Sequence, residues 1–418
     1  MNRTRLVLFV VSILDYCVWI YGVHPDVKLN FIERAKRHGY PFEVHQAITD
    51  DGYLIDLLRF PRGISKSENE PKNKSVLLIM HGNGGSPHNF IAMGRKKAPA
   101  YYFADRNFDV WLICGRGVHC VNNRKHQKYD WNRDPEYWNF SFHECGIYDI
   151  AASIDYVLNA TKQQKLFYIG HSSAVNSIFA LLSERPEYNN KLKAIANYAG
   201  SPIITEMDYP SIELVCELSN LFKGALKILD FHEVFPRTIR DTINPILRLF
   251  CIDRKFKFTC KTLVMSFSSH LSYNIDEDLY EVILGDAPPR FASKALCHLM
   301  DNVKNGYFRF YDHGPKMNKK IYGHTLPRAY NISACVVPTA FFSGATDSIV
   351  LRKEMWKTQE YLNNTVLDYE IGPSFMHVDF LFARNATFKL YEPTVKLFND
   401  INNGKIPPRI IRKRSNLN

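Results

Sequence analysis

Short apolar runs alternate with helical stretches along most of the chain. Clusters of β-branched and aromatic residues predict buried strands at residues 76–80, 108–114, 166–169, 194–199, 339–343 and 366–371. Between them, residues 144–159 carry apolar side chains at helical spacing, and the helix after residue 172 should end at Pro186. Regular alternation of strand and helix predicts the α/β class, with a mostly parallel central sheet flanked by helices on both faces.

The alternation fails between residues 204 and 330, where helix-like stretches dominate and clean buried strands are lacking. The later segment "VVPTAFFSGATD" restores the strand pattern. We interpret the interruption as a mainly helical cap inserted into one α/β core. The predicted organisation is a signal peptide (1–22), a first core part (23–203), the cap or lid (204–330), a second core part with the acid and histidine loops (331–400) and a basic tail (401–418).

The first residues have the pattern of a secretory signal. Arg3 and Arg5 precede an apolar run from Leu6 to Leu14, and cleavage is expected near Gly22. Asp15 interrupts the run, which makes a membrane-spanning anchor the less favoured alternative. Six Asn-x-Ser/Thr triplets also favour export: Asn73, Asn139, Asn159, Asn331, Asn363 and Asn385. We therefore expect a glycoprotein that is secreted, with the lysosome as the alternative destination.

Cysteine usage fits an exported protein without fixing the pairing. One of the nine cysteines lies in the signal, and the remaining eight allow many disulfide patterns. Cys251 and Cys260 are the best local pair, whereas Cys114, Cys120 and Cys145 are equally compatible with buried thiols. Because cysteine and histidine nowhere show metal-ligand spacing, we expect no metal.

The net charge of +11 arises partly from the tail. Its basic residues are Lys405, Arg409, Arg412, Lys413 and Arg414. A solvated, disordered tail is favoured over a site for anionic lipid or glycan surfaces. No segment resembles a nucleic-acid-binding module, so nucleic acid is not an expected partner.

The pentapeptide Gly170-His171-Ser172-Ser173-Ala174 is close to the Gly-x-Ser-x-Gly signature of serine hydrolases. Such a match is common by chance, so its context decides. A predicted strand runs directly into Ser172 and a predicted helix follows at once, as a nucleophile on a tight strand-to-helix turn requires. We predict Ser172 as the nucleophile.

A serine nucleophile needs a base, and the base needs an acid to orient it. Asp347 follows the strand "TAFFSG" and His377 follows "VLDYEIG", so both come after strand ends in the order Ser, Asp, His. Either residue alone would be read as a turn or packing residue. That ordinary interpretation is kept for His81, His171, His298 and Asp379, the last as a loop or helix-start residue.

The predicted oxyanion hole needs two backbone N–H groups. Ser173, directly after the nucleophile, supplies one, and Asn83 in the glycine-rich loop "HGNGGS" supplies the other. Gly82, Gly84 and Gly85 would let this loop approach closely.

Several segments resemble the acid lipase family, which comprises lysosomal acid lipase, gastric lipase and their insect relatives. The segments are "PFEVHQAITDDGYLIDLLRFPRG", "HGNGGS", "ADRNFDVWLICGRG", "YWNFSFHECGIYDIAASIDYVL", "YIGHSSA", "VPTAFFSGATD" and "MHVDFLF". They lie in the family's order over roughly residues 25–400. The resemblance implies an α/β-hydrolase fold with a helical cap. It also implies cofactor-free hydrolysis of carboxylic esters of neutral lipids, such as triacylglycerols or cholesteryl esters, at a lipid–water interface.

The resemblance assigns Ser172, Asp347 and His377 to the triad, Asn83 and Ser173 to the oxyanion hole and Cys251–Cys260 to a cap disulfide. The chain also departs from the family. Ser173 and Ala174 replace the usual Gln and Gly, and Asn83 replaces an apolar residue. The extra methyl of Ala174 adds crowding at the elbow. Two alternatives to the lipase stay open. The altered elbow favours a lipid-binding homologue with weakened or lost activity, and a carboxylesterase of smaller esters or a peptidase would share the fold and the triad.

Overall fold

The computed structural model describes residues 24–64, 74–122, 125–234, 272, 274–285 and 290–412. The predicted signal peptide, Asn73, the Cys251–Cys260 pair, Lys413 and Arg414 lie outside the described residues.

One sheet of eight strands forms the centre of the described structure. The strands are β1 (Glu43–Ile48), β2 (Leu54–Phe60), β3 (Ser75–Met80), β4 (Phe108–Cys114), β5 (Leu166–His171), β6 (Leu192–Tyr198), β7 (Thr339–Gly344) and β8 (Thr365–Ile371). Their order is β1-β2-β4-β3-β5-β6-β7-β8. The pairs β1–β2 and β2–β4 are antiparallel, and all other neighbouring pairs are parallel. The predicted α/β fold class is confirmed.

The six predicted strands correspond to β3–β8, whereas β1 and β2 were not predicted from the pattern. β1 is an edge strand in which half of the residues are polar and most are at least partly exposed, so it lacks an apolar run. In β2, Asp56 and Arg59 interrupt the apolar sequence although nearly the whole strand is buried. Lys125 neutralises the buried Asp56 at an N–O distance of 2.8 Å, a long-range pairing that local sequence does not reveal.

Helices cover both faces of the sheet. The α-helices of the core are α1 (Phe31–His38), α2 (Pro99–Ala104), α3 (Ala151–Thr161), α4 (Ser173–Glu184), α10 (Arg352–Gln359), α11 (Asp379–Phe382) and α12 (Glu392–Asn402). Short elements are the α-helical turn Phe142–Glu144, the π-helices Cys145–Ile150 and Thr387–Tyr391, and the 3-10 turns Pro87–Phe90, Pro135–Trp138, Pro186–Lys191, Glu277–Leu279 and Ile332–Ala334. The predicted helix after residue 172 is α4, and it ends before Pro186.

Neighbouring side chains of each central strand pack into different apolar layers. Leu77 and Phe167 belong to one buried cluster, and Leu78 and Tyr168 belong to the other. Successive strand residues point to opposite faces, so two layers are expected when helices cover both sides. This double burial explains why β3–β7 read as largely apolar runs, whereas β8, which carries Asp368 and Glu370, is partly exposed.

Between β6 and β7 the described residues form helices and no strand. The helices are α5 (Pro210–Glu217), α6 (Ser219–Ile228), α7 (Tyr280–Gly285), α8 (Ser293–Asn305) and α9 (Pro315–Tyr322). This content is compatible with the cap predicted at 204–330, whose limits stay a prediction. Within the ranges that the structure describes, no helix has the length and apolar character needed to cross a bilayer.

Two expectations about the periphery change. Cys114 and Cys120 form a disulfide rather than buried thiols, whereas Cys145 is a free cysteine. Part of the tail also contacts the core, although Lys405, Arg409 and Ile411 are exposed, as a solvated tail would be. The amide of Ile410 donates to the Thr365 carbonyl of β8 at 2.7 Å, and Arg412 binds Gln359 at 2.8 Å. The tail therefore contacts β8, the edge strand of the sheet.

Candidate active site

Ser172 lies on a sharp turn between β5 and α4. Its φ of 55° and ψ of −126° lie outside the regions that L-residues usually adopt, a strain found at nucleophile elbows. The turn fits only because small residues face it. A Cβ on Gly82 would lie 2.7 Å from Ser172 Cβ, and a Cβ on Gly200 would lie 2.7 Å from the Ser172 carbonyl oxygen. The close approach of Gly82 was predicted from the sequence, whereas that of Gly200 was not.

Ser172, His377 and Asp347 form a continuous hydrogen-bonded row. His377 Nε2 lies 2.9 Å from Ser172 Oγ, and His377 Nδ1 lies 3.0 Å from Asp347 Oδ2. Asp347 and His377 are both buried. The structure thus brings together the three residues that the sequence predicted for the triad, although Ser172 and His377 are 205 positions apart.

The loops after β7 and β8 hold the acid and the histidine in this geometry. The other Asp347 oxygen, Oδ1, accepts the amides of Ile349 and Val350 at 2.9 and 3.0 Å, which fixes the carboxylate plane. Gly344, at the end of β7, lies so close to the histidine loop that a Cβ would come within 2.1 Å of the Phe375 carbonyl oxygen. A glycine is therefore required where the two loops meet.

Two further residues fix the loop that carries His377. His171 Nε2 lies 3.2 Å from the His377 carbonyl oxygen, and burial lowers the pKa of His171 to about 3, so it stays neutral beside the base. Asp379 begins α11 and accepts the Met376 amide and Asn274 Nδ2, each at 2.8 Å. Burial raises the pKa of Asp379.

Asp379 was expected to be a loop or helix-start residue, and it does start a helix. It also joins the histidine loop to residues 272 and 274, because Ser272 Oγ donates to it as well. The sequence carried one signal for this second role: Asp379 lies two positions after the predicted base. Its partners are distant in sequence, so the contact itself had no local signature.

The structure also brings the two residues predicted for the oxyanion hole into contact. Asn83 N lies 2.7 Å from the side-chain oxygen of Ser173. The backbone N–H of Ser173 is at the first position of α4, where no intrahelical acceptor exists. His81 supports the glycine-rich loop by bonding the Gly82 carbonyl at 2.9 Å and accepting the Gly115 amide at 3.2 Å. Burial lowers the pKa of His81 to about 4.

The remaining sequence candidates lie away from these residues. His298 bonds Ser141 Oγ at 2.9 Å and the Arg309 carbonyl at 2.7 Å, which agrees with its ordinary structural interpretation. Asn139, Asn159, Asn331 and Asn363 are exposed and Asn385 is half-buried. Their glycosylation stays a prediction.

Comparison with known proteins identifies the family. A family model described as a partial alpha/beta-hydrolase lipase region matches residues 31–94, and one described as the alpha/beta hydrolase fold matches residues 75–213. "Lipase 1" of Drosophila melanogaster is 30% identical over 92% of this chain and 82% of its own length. Human "Gastric triacylglycerol lipase" is 28% identical, with 93% of this chain and 97% of that protein covered.

"Lipase member K" of Homo sapiens is likewise 28% identical over 91% of this chain and 93% of its own. A solved crystal structure from Sulfolobus solfataricus shares the fold with a TM-score of 0.52 at 12% identity, covering 86% of this chain and 99% of that one. The extended match to curated lipases agrees with the resemblance seen in the sequence motifs. The chain therefore belongs to the acid lipase family of α/β-hydrolases, a family of carboxylic ester hydrolases.

Proposed function

We propose that this protein is a lipase that hydrolyses the carboxylic ester bonds of neutral lipids, such as triacylglycerols or cholesteryl esters. Ser172 acts as nucleophile, His377 as general base and acid, and Asp347 as the group that orients the histidine. The observation that carries this proposal is the unbroken row of hydrogen bonds from Ser172 Oγ through the imidazole to Asp347. Such a row is what activates a serine whose hydroxyl is otherwise a weak nucleophile.

The reaction would follow from these contacts. His377 Nε2 takes the Ser172 proton as Oγ attacks the ester carbonyl, and the carbonyl π electrons move onto oxygen. Collapse of this tetrahedral intermediate expels the alcohol, which receives the proton from His377. Water then attacks the acyl-enzyme with the same proton transfers and releases the fatty acid. Asp347 stabilises the imidazolium that forms in each half.

The negative oxygen of each intermediate would be bound by the backbone N–H groups of Ser173 and Asn83. Ser173 also begins α4, so the positive end of this helix dipole lies next to the developing charge. Removing one such donor typically costs about 100- to 1000-fold in kcat. The hole is therefore expected to contribute substantially, although less than the roughly million-fold contribution of the triad.

Two features favour a lipid substrate over a small ester. Helices α5 and α6 expose large apolar side chains, among them Leu214, Leu221 and Ile228, of which Ile228 is 85% exposed. An exposed apolar surface of this kind suits a lipid–water interface. The relatives also include a protein named for triacylglycerol hydrolysis. We further propose that residues 204–330 form the cap over the site, and that the protein is secreted or lysosomal.

Ester hydrolysis by the purified, secreted protein tests the proposal. Initial rates are measured on p-nitrophenyl butyrate, p-nitrophenyl palmitate, emulsified triolein and cholesteryl oleate. Ser172→Ala should lower turnover by about a million-fold, as loss of a triad serine does. Ser177→Ala is the matched control, because Ser177 is a buried serine on the same helix whose hydroxyl bonds only the Ser173 carbonyl within the described structure.

The outcomes separate the alternatives. Triolein or cholesteryl oleate turnover that disappears in Ser172→Ala supports the lipase, whereas activity confined to the butyrate ester supports a carboxylesterase. Well-folded protein that turns over no ester between pH 4 and pH 9 would contradict the enzyme and favour a lipid-binding homologue.

A further inference from the structure

The side chain of Ser173 accepts the hydrogen bond of a backbone N–H that the proposed reaction needs for the oxyanion. In the structure the backbone N–H of Asn83, called the Asn83 amide below, donates to Ser173 Oγ at an N–O distance of 2.7 Å, which is a short and well-formed hydrogen bond. Ser173 is 7% exposed, so bulk water does not compete effectively for this amide. One of the two proposed oxyanion donors is thus already bonded to an oxygen of the protein itself.

This contact matters because an oxyanion hole works through donors that are aimed at the developing charge before the reaction starts. The Ser173 N–H meets that condition, since it lies at the first turn of α4. The Asn83 N–H meets it only after Ser173 Oγ has been displaced or has come to share the proton. Giving up a hydrogen bond of this type typically weakens binding by roughly two- to tenfold.

The hydroxyl also has room to move. A cavity of about 30 Å³, enough for a group the size of a water molecule, lies beside the glycine-rich loop and is lined by Ser173, Ser177 and Cys145 among others. Within the described residues, Ser173 Oγ has no hydrogen-bond partner besides Asn83. A rotation about χ1 therefore moves Ser173 Oγ away from the amide and breaks only that bond.

We propose that the Ser173 side chain is an internal occupant of the oxyanion hole. Its Oγ binds the Asn83 amide in the free enzyme and yields it to the ester oxygen when the tetrahedral intermediate forms. The proposal rests on the proposed function of Ser172 and its triad. It assigns to Ser173 a second role, opposite in sign to that of its backbone: the N–H stabilises the transition state, and the hydroxyl competes with it.

A trifluoromethyl ketone inhibitor tests this assignment. Ser172 Oγ adds to the ketone carbon, the carbonyl π electrons move onto oxygen, and the serine proton goes to His377, which creates a stable oxyanion mimic. Ser173→Ala removes the competing oxygen and should lower the inhibition constant by roughly two- to tenfold. It should raise kcat/KM by a similar factor. Ser173→Thr keeps the hydroxyl and should therefore show no gain in inhibitor affinity.

Thermal unfolding supplies a readout that a merely structural role would not match. Ser173→Ala loses a buried hydrogen bond, so its Tm should fall while its inhibitor affinity rises. A purely structural serine would lower both. Ser177→Ala, which alters the same cavity without touching the Asn83 amide, should leave the inhibition constant unchanged.

Several results would overturn the assignment. A Ser173→Ala protein that binds the ketone tenfold more weakly would show that the hydroxyl donates to the oxyanion, and an unchanged constant would show that it takes no part. An equal gain in Ser177→Ala would attribute the effect to the cavity. A crystal structure of the ketone adduct gives the direct check: Ser173 Oγ should have left Asn83 N. Ketone binding that survives Ser172→Ala would instead contradict the proposed function itself.

Discussion

The proposed triad and the proposed oxyanion hole meet at the turn that carries Ser172 and Ser173, but their hydrogen-bond donors and acceptors are not equally available for the reaction in the free protein. On the triad side each proton-bearing contact has the length that the proposed reaction needs, from Ser172 to His377 and from His377 to Asp347. On the oxyanion side the Asn83 amide is bonded to Ser173 Oγ instead of awaiting substrate. Preparation of one half therefore does not imply preparation of the other, although both halves come from neighbouring residues.

The physical reason lies in what each half is made of. The triad uses side chains whose partners sit on other loops, so packing can hold each loop separately. The proposed oxyanion hole uses backbone N–H groups, and a buried backbone N–H without a hydrogen-bond acceptor destabilises the folded protein. The Ser173 hydroxyl accepts the hydrogen bond of the Asn83 backbone N–H, which is then not free to bind the oxyanion.

Asp347→Asn should break the triad side most clearly. The amide cannot act as the charged acceptor for His377 Nδ1, so the imidazole loses its orientation and its compensating charge. We expect kcat to fall by about 10,000-fold with little change in folding. Stopped assays on p-nitrophenyl esters measure this, with circular dichroism to confirm the fold. A loss below about tenfold would show that Asp347 is not the acid.

Gly82→Ala should damage the oxyanion side. The new Cβ would lie 2.7 Å from Ser172 Cβ and 2.9 Å from the His171 carbonyl oxygen, so loop or elbow must shift. Misplacement of reacting groups by about 1 Å costs on the order of 100-fold, which is the loss expected in kcat/KM. Gly224→Ala is the matched control, because its Cβ would meet no atom within 4 Å. Equal activity of both variants would contradict the close approach.

Acid should lower the free energy of unfolding, because a buried neutral histidine supports each half of the proposed site. Burial lowers the pKa of His81 to about 4 and that of His171 to about 3, below the value of 6.5 expected when unfolded. Below pH 6.5 these histidines therefore bind more protons in the unfolded chain than in the folded protein. The stabilisation that depends on their neutral forms is fully present above that pH. It is lost as pH falls towards about 4 for His81 and about 3 for His171.

The expected loss is about 1.4 kcal/mol per pH unit for each histidine within that window. Urea unfolding at pH 7, 6 and 5 measures the slope. His171→Gln should be less stable than the wild-type protein at pH 7 but show a shallower slope. A free energy of unfolding that stays constant between pH 7 and pH 5 would contradict the neutral buried state of these residues.

Asp379→Asn should loosen the triad side without breaking it. The asparagine can still accept the Met376 amide but can no longer accept from both Asn274 and Ser272. We expect kcat to fall by roughly tenfold with a smaller change in KM, because the base is positioned less precisely. Asp400→Asn, which removes a surface ion pair with Lys396, is the control. A matching fall in both variants would rule out a specific role for Asp379.

Much of this protein was determined by its sequence. Strands buried between two helical layers are apolar on both faces, so β3–β7 were readable as largely apolar runs, and the triad order followed from which strand each residue succeeds. β1 and β2 escaped because an edge strand is half polar and because Asp56 is neutralised by a distant lysine. The Cys114–Cys120 pairing likewise depended on folded geometry.

Tertiary structure alone decided how the site is set. The backbone positions of Asn83 and Ser173 predicted both residues as oxyanion donors. The hydrogen bond between Asn83 N and Ser173 Oγ joins residues 90 positions apart, so only the folded structure reveals it. The same holds for Gly200 against the elbow and Asp379 against Asn274. Local pattern fixes which element a residue begins or ends. Contacts between loops depend on packing of the whole core, and that is where the readiness of this site was determined.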